Sequence, residues 1–224
     1  MQTEVISLGG SILFENNKID VNYLKNLKKI LLKINKKFII VLGGGFISRI
    51  YMTALENSNV NFHDICRIGM SVTRLNAVVV SKIFNLHYKD VHLSIADIKS
   101  HLKKNKIVVV GALRYIDNMT SDGTAAMISS HFKSGFINIT NVSGLFSKDP
   151  NKFKNAKLIK KINYKSFLDI AAKSKFHPGQ HFVLDQKAAH IIKKHKIKTY
   201  IIGKKLKNLN NLLIGKRFIG TEIS

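Results

Sequence analysis

Apolar positions along the chain follow two rhythms. Short, mostly continuous runs of apolar and β-branched residues stand at 4–8, 38–42, 107–110, 136–140 and 199–202. Such runs read as strands buried on both faces. Between them, apolar residues recur three and four apart. Leu24, Leu27, Ile30, Leu31 and Ile34 predict a helix over 21–35, with Asp20 as its N-cap. Phe46, Ile47, Ile50 and Leu55 predict a second helix, and Val72, Leu75, Val79, Ile83 and Leu86 a third over about 71–86. Val183, Ala188, Ile191 and Ile192 predict another over 182–196. A short strand near 91–93, a helix over 95–102 capped by Ser94, a helix opening at 121 and a closing strand at 221–223 complete the pattern. Strands alternating with helices pair in parallel and carry helices on both faces, so the fold class is α/β with a mainly parallel central sheet. No linker, repeat or low-complexity tail divides the chain, which reads as a single domain over 1–224.

The predicted strands end in unusual turns. Gly9-Gly10-Ser11 follows the first and Gly43-Gly44-Gly45 the second. Thr120-Ser121-Asp122 opens a helix, and the loop from Thr140 to Pro150 follows the strand at 136–140. Ligands of such sheets bind outside the carboxyl ends of the strands. Glycine turns beside helix starts offer backbone N–H groups to phosphate oxygens. Arg49, one helical turn past the three glycines, is placed to fork onto a phosphate. A carboxylate such as Asp122 would repel phosphate unless it orients a cation or binds metal. Each feature also has a structural reading. Ser121 and Asp122 serve as N-caps, Arg49 as a solvated helix residue, Phe146 as core. The chain has no Gly-x-x-x-x-Gly-Lys loop, no Gly-x-Gly-x-x-Gly fingerprint and no Gly-x-Ser-x-Gly elbow. Its nine histidines show no metal-ligand spacing, so no metal-ligating residue is assigned; His177, His181 and His190 read as scattered surface or loop residues.

Composition narrows the setting. The 224 residues are 45% hydrophobic with two prolines, a globular balance. One cysteine, Cys66, precludes an internal disulfide and suits a reducing compartment. The first residues lack the basic and apolar regions of a signal peptide, and no apolar run reaches membrane-spanning length, so a cytoplasmic protein without membrane contact is expected. The net charge of +24 would suit a nucleic-acid partner. The lysines, however, are spread over many helices and rarely interleave with aromatics. Specific nucleic-acid binding is therefore not expected.

Taken in order, these motifs resemble the amino acid kinase superfamily, and within it the archaeal-type UMP kinases. The matching residues are 5–11, 43–49, 68–77, 120–122 and 139–146, with Asp149-Pro150, Asp185 and Ala188-Ala189. The resemblance implies a three-layer αβα sandwich, often assembled as a homo-oligomer, in UMP kinases commonly a hexamer. It implies ATP-dependent phosphorylation of UMP in pyrimidine biosynthesis, with ATP and Mg2+ as cofactors. About 1–135 would bind the acceptor and about 136–224 the ATP. By position, Gly44, Gly45, Arg49, Thr120 and Ser121 would hold the acceptor phosphate. Gly9, Gly10, Ser11, Thr140, Asn141, Phe146, Asp149 and Pro150 would line the ATP site. Asp122, Arg49 and Lys148 are the catalytic candidates.

Three departures bear on the acceptor and the chemistry. Cys66 stands where UMP kinases carry an aspartate for the acceptor ribose, and Ser143 where Asn-Val-Asp-Gly is usual. The loop 112–119 differs from the family's glycine-, histidine- and proline-containing loop. Ser7 takes the place of a lysine common in the superfamily, which leaves magnesium with Lys148, Arg49 or Lys187 to supply positive charge. The alternatives are a kinase of another small phosphate or carboxylate, and a non-catalytic nucleotide sensor or nucleic-acid-binding protein on the same scaffold.

Overall fold

The computed structural model describes residues 1–55, 58–86, 94–114, 116, 119–172 and 184–224. The chain opens with strand β1 (Thr3–Leu8), one helical turn α1 (Gly10–Leu13) and a small hairpin, β2 (Phe14–Glu15) with β3 (Lys18–Ile19). Helix α2 (Val21–Lys33) leads into β4 (Lys37–Leu42), α3 (Gly45–Leu55) and the long α4 (Phe62–Ile83). Next come α5 (Ile95–Lys104), β5 (Ile107–Val110), α6 (Ser121–Phe132) and β6 (Gly135–Thr140). The remainder holds β7 (Lys161–Ile162), α7 (Tyr164–Ala172), α8 (Gln186–His195), β8 (Thr199–Gly203), α9 (Leu206–Leu213) and β9 (Gly220–Ile223).

The main sheet has the order β5-β4-β1-β6-β8-β9-β7. β5, β4, β1, β6 and β8 run parallel, and β9 lies antiparallel to β8. Alternate residues of each strand feed two cores. Val5, Ile39, Val108, Phe136 and Ile201 pack with α5, α6, α7 and α8, whereas Ile6, Ile40, Val109, Ile137 and Ile202 pack with α1, α2, α4 and α9. Helices therefore cover both faces, as the unbroken apolar strands require. The register matches Leu8 with Leu42 and Ile139, and Val41 with Val110, so these strands end at one edge. Every turn singled out above leaves from that edge.

The caps follow sequence logic. Asp20 accepts the Tyr23 N–H at 2.8 Å, and Ser94 and Asp97 form a reciprocal capping box. Other elements differ from expectation. α4 begins at Phe62, capped by Asn61, well before the predicted start at 71. Its buried side also carries Thr73 and Asn76, while Leu75, expected inward, is 57% exposed. Short elements without long periodicity, namely β2, β3, β7, α7 and α9, escape the pattern reading. The strand expected at 91–93, the first residues of the helix expected over 182–196, and His177 and His181 lie outside the described residues. Among the described residues no helix is long and apolar enough to cross a membrane.

Candidate active site

The two glycine turns pack backbone against backbone. A methyl group on Gly10 would lie 2.1 Å from Gly45 N and Cα, and one on Gly43 would lie 2.7 Å from Gly10 N. Gly45 also has φ +65, a left-handed conformation suited to glycine. The missing side chains thus let the exits of β1 and β4 touch. Gly10 and Gly45 open α1 and α3, and the N–H groups of Gly10, Ser11, Gly44 and Gly45 meet no acceptor among the described residues. Four open donors at the edge of a sheet suit anionic oxygens.

Beside them sits a carboxylate. Ser7, fully buried at the end of β1, donates its hydroxyl to Asp122 Oδ1 at 2.6 Å. This contact ties the first strand to the start of α6. Thr120, not Ser121 or Asp122, is the N-cap: its hydroxyl accepts the Asp122 N–H at 3.1 Å. The same hydroxyl donates to Asp185 Oδ2. Asp185, itself the N-cap of α8 and 3% exposed, also accepts the N–H groups of Gly123 at 3.1 Å and Ala188 at 2.8 Å. Three donors satisfy Asp185, so its carboxylate is a structural pin between α6 and α8.

Among the described residues Asp122 has one side-chain donor, Ser7, and no ion pair with a cation. Burial pushes its pKa up to about 7; the Ser7 hydroxyl pulls it down, and the charge of Asp185 pushes it further up. An unpaired carboxyl of this kind, at a sheet edge rich in open N–H donors, fits a role completed by a bound cation and anion. Among the described residues no three His, Cys, Asp or Glu side chains cluster as a ready-made metal cage.

The other expected residues are placed as follows. Arg49 lies half-buried on α3, and its guanidinium has no hydrogen-bond or ion-pair partner among the described residues. Gly9 lies against β6, donating its N–H to Ile139 O at 3.3 Å, so Thr140 and Asn141 leave the sheet beside the β1 turn. Phe146 is half-buried and bridges to Leu158. Asp149 closes its own turn, its side chain accepting the Asn151 N–H at 2.9 Å, with Pro150 inside that turn. Lys148 is exposed, its ammonium 5.5 Å from the Phe153 ring centroid. Neither Lys148 nor Arg49 makes a hydrogen bond or ion pair with Asp122. Lys187 stands in the first turn of α8, two residues past Asp185. Ser121, half-buried, is the first residue of α6.

Two residues of this edge carry no role in the sequence reading. Asp185 is visible there only as part of the motif match; the helix expected over 182–196 places it inside the helix, whereas α8 starts at Gln186 and Asp185 is its N-cap. Asn76 offers a signal, because an amide on the buried side of an amphipathic helix demands a polar partner. That partner is the second glycine turn: its side-chain amide donates to Gly43 O at 2.8 Å and Gly44 O at 3.1 Å.

Comparison with known proteins agrees with this geometry. A profile of the amino acid kinase family matches residues 2–203. The uridylate kinase of Thermoplasma volcanium is 31% identical over 221 residues, 98% of this chain and 96% of that protein. That of Methanococcus aeolicus is 33% identical over 217 residues, 92% of this chain and 95% of that protein. The crystal structure of uridylate kinase from Archaeoglobus fulgidus superposes with a TM-score of 0.85 at 28% identity, covering 100% of both chains. An isopentenyl phosphate kinase shares the fold, with a TM-score of 0.71 at 18% identity.

Proposed function

This chain belongs to the amino acid kinase family, and from that premise we propose that it transfers the γ-phosphoryl group of ATP to UMP, giving UDP and ADP. The observation that carries the proposal is the meeting of the β1 and β4 glycine turns, with their open N–H donors, beside the Ser7–Asp122 pair. The full-length similarity to uridylate kinases supports it.

The division of labour follows the sheet edge. Gly44, Gly45 and the guanidinium of Arg49, which has no partner among the described residues, hold the acceptor phosphate, with Thr120 and Ser121 beside them at the start of α6. Gly9, Gly10 and Ser11 face the transferring group. Thr140, Asn141, Phe146, Asp149 and Pro150 line the ATP side, so about 1–135 serves the acceptor and about 136–224 the nucleotide within one domain. Because Asp185 already engages the Thr120 hydroxyl, Thr120 acts through its backbone and through the placing of Asp122. Transfer is in line, and catalysis is by positioning and charge stabilisation. Mg2+ fits this donor set: such an ion takes one or two carboxylates and fills its shell with phosphate oxygens and water, and Asp122 is the carboxylate available. When bound, it would offset charge on the transferring group.

The proposal extends to assembly and setting. α3 and α4 leave Ile50, Tyr51, Phe62 and Leu75 between 43% and 57% exposed, and α3 buries only Ser48. This apolar surface supports self-association into a homo-oligomer. A single thiol suits a cytoplasmic enzyme of pyrimidine nucleotide synthesis.

A coupled ADP-release assay with UMP, CMP and isopentenyl phosphate, each with ATP and Mg2+, tests the proposal. UMP should be turned over and Asp122→Asn should abolish it. Turnover of another acceptor, with none of UMP, would instead favour the second reading, a kinase of a different small phosphate. Its support is Cys66, half-buried on α4 where the resemblance expects an aspartate, and the divergent loop 112–119.

A further inference from the structure

Helix α4 touches both acceptor-side turns through three closely spaced polar residues, each buried or half-buried. Asn76, 5% exposed, donates to the carbonyls of Gly43 and Gly44 at 2.8 and 3.1 Å. Thr73, 8% exposed, accepts the Ala112 N–H at 2.8 Å and donates to Met70 O at 2.7 Å. Arg74 donates its Nε to Ala112 O at 2.8 Å and its Nη2 to Leu113 O at 2.6 Å. Gly111 seals the contact: a methyl group there would lie 2.6 Å from Arg74 N.

The peptide unit is planar and trans, so a carbonyl and the N–H of the next residue point in opposite directions. Fixing the Gly43 and Gly44 carbonyls toward Asn76 therefore turns the Gly44 and Gly45 N–H groups away from α4, to the open side of the turn. Those are donors with no acceptor among the described residues. Arg74 does the same after β5: with the Ala112 and Leu113 carbonyls held, the N–H groups of Leu113 and Arg114 face away from it. Among the described residues both amide donors of Asn76 go to one turn, and that turn is the proposed phosphate cradle.

We propose that Thr73, Arg74 and Asn76 form a bracket that orients the peptide planes of the two acceptor-side turns, with Asn76 the positioning residue for the acceptor phosphate and Arg74 the positioning residue for the loop after β5. Arg74 is thus not a substrate-binding arginine, although it lies near the same edge; its donors go to backbone carbonyls. The inference rests on the acceptor reading above and deepens it: selectivity for the acceptor is set from the helix behind the turns.

The test is a split in kinetic constants. Asn76→Asp keeps the shape, removes both donors and sets a carboxylate against two carbonyl oxygens. KM for UMP should rise about tenfold or more, while KM for ATP stays within about twofold. Arg74→Met keeps the stem and removes the fork; it should show the same split. A merely structural role for either residue predicts a lower melting temperature with both KM values moving together or neither moving, and that result overturns the bracket. If Asn76→Asp does not fold, Asn76→Ser removes the amide donors without adding charge and carries the same comparison. Absence of UMP turnover in the unmodified protein is a separate outcome: it refutes the acceptor assignment, and this inference with it.

Discussion

Asp122 should lower the stability of the protein in exchange for function, and the loss has a definite pH window. Burial and the neighbouring charge of Asp185 lift its carboxyl from an ordinary 3.8 to about 7. Between about pH 4 and pH 7 the folded protein therefore holds a proton that the unfolded chain has released. Stability must fall as pH rises through that interval. At about 1.36 kcal/mol for each pH unit, the whole displacement corresponds to about 4 kcal/mol as a ceiling. Asp122 keeps some exposure, and the N-terminal dipole of α6 favours its charge by about 0.5 kcal/mol, so about 2 kcal/mol is the expected effect at pH 8. The substitution Asp122→Asn removes the charge and keeps an oxygen that can accept the Ser7 hydroxyl. It should thus raise the melting temperature at pH 8 by about 4–8 °C for a chain of this length, and abolish phosphoryl transfer. At pH 4 the gain should nearly vanish, because there the wild-type carboxyl is protonated in the folded protein and half protonated in the unfolded one. Thermal melts of both proteins at pH 4, 6 and 8 read this directly. An equal gain at all three values, or a loss at pH 8, refutes the electrostatic account.

Further outcomes follow from the same contacts. If the ionised Asp122 serves the reaction, kcat/KM, which reports the free protein, should fall as pH drops through about 7, and Ser7→Ala should move that acid limb to higher pH, since it removes the hydrogen bond that holds the carboxyl down; a pH–rate profile of each protein decides. Gly10→Ala forces a methyl into the Gly45 backbone and should cost about 3 kcal/mol or more in a denaturant titration, whereas Gly215→Ala, at φ +73 with nothing within 4 Å, should cost about 1 kcal/mol. Alanine at Arg49, Lys148 and Lys187 in turn tests which cation stands in for a lysine at Ser7; turnover should fall most for Arg49, which is half-buried and without a protein partner among the described residues, and three near-wild-type rates would sink the compensation idea.

Much of this fold could be read from the sequence because its strands are buried on both faces. Val5, Ile39, Val108, Phe136 and Ile201 look toward one core and their neighbours toward the other, so the strands appear as continuous apolar runs. The turns at their ends were legible for the same reason, as abrupt breaks in those runs. What escaped was set by tertiary contact. α9 and α7 are short, and their inward residues, Leu209 and Leu213 or Phe167 and Ala171, gain meaning only once a sheet lies beneath them. Periodicity placed Leu75 inward because it counts apolar residues. In the structure that side of α4 serves two polar turns, so Thr73 and Asn76 face inward and Leu75 faces out. The excess of lysine likewise has local uses. At the far edge of the sheet Lys37 donates to Leu102 O at the end of α5, Lys106 donates to Leu32 O near the end of α2, and Lys36 pairs with Glu4 at 2.7 Å. Cations at helix C-termini answer exposed carbonyls, which accounts for these charges without a polyanion.

The glycine turns show why a motif of this kind resists interpretation in isolation. Gly10 is required by Gly45 and Gly43 by Gly10: any side chain on either would enter the backbone of the opposite turn. A purely structural reading therefore explains two of the glycines completely. Yet close packing alone does not require N–H groups without acceptors among the described residues, nor a buried amide bonded to the carbonyls beside them. Gly44 and Gly45 have both features, through Asn76, and they lie in the turn that abuts Gly10 at the edge where Ser7 meets Asp122. On the proposed reading, structural and functional demands coincide at this contact: with the turns touching, the donors of one would reach the acceptor phosphate and those of its neighbour the group being transferred.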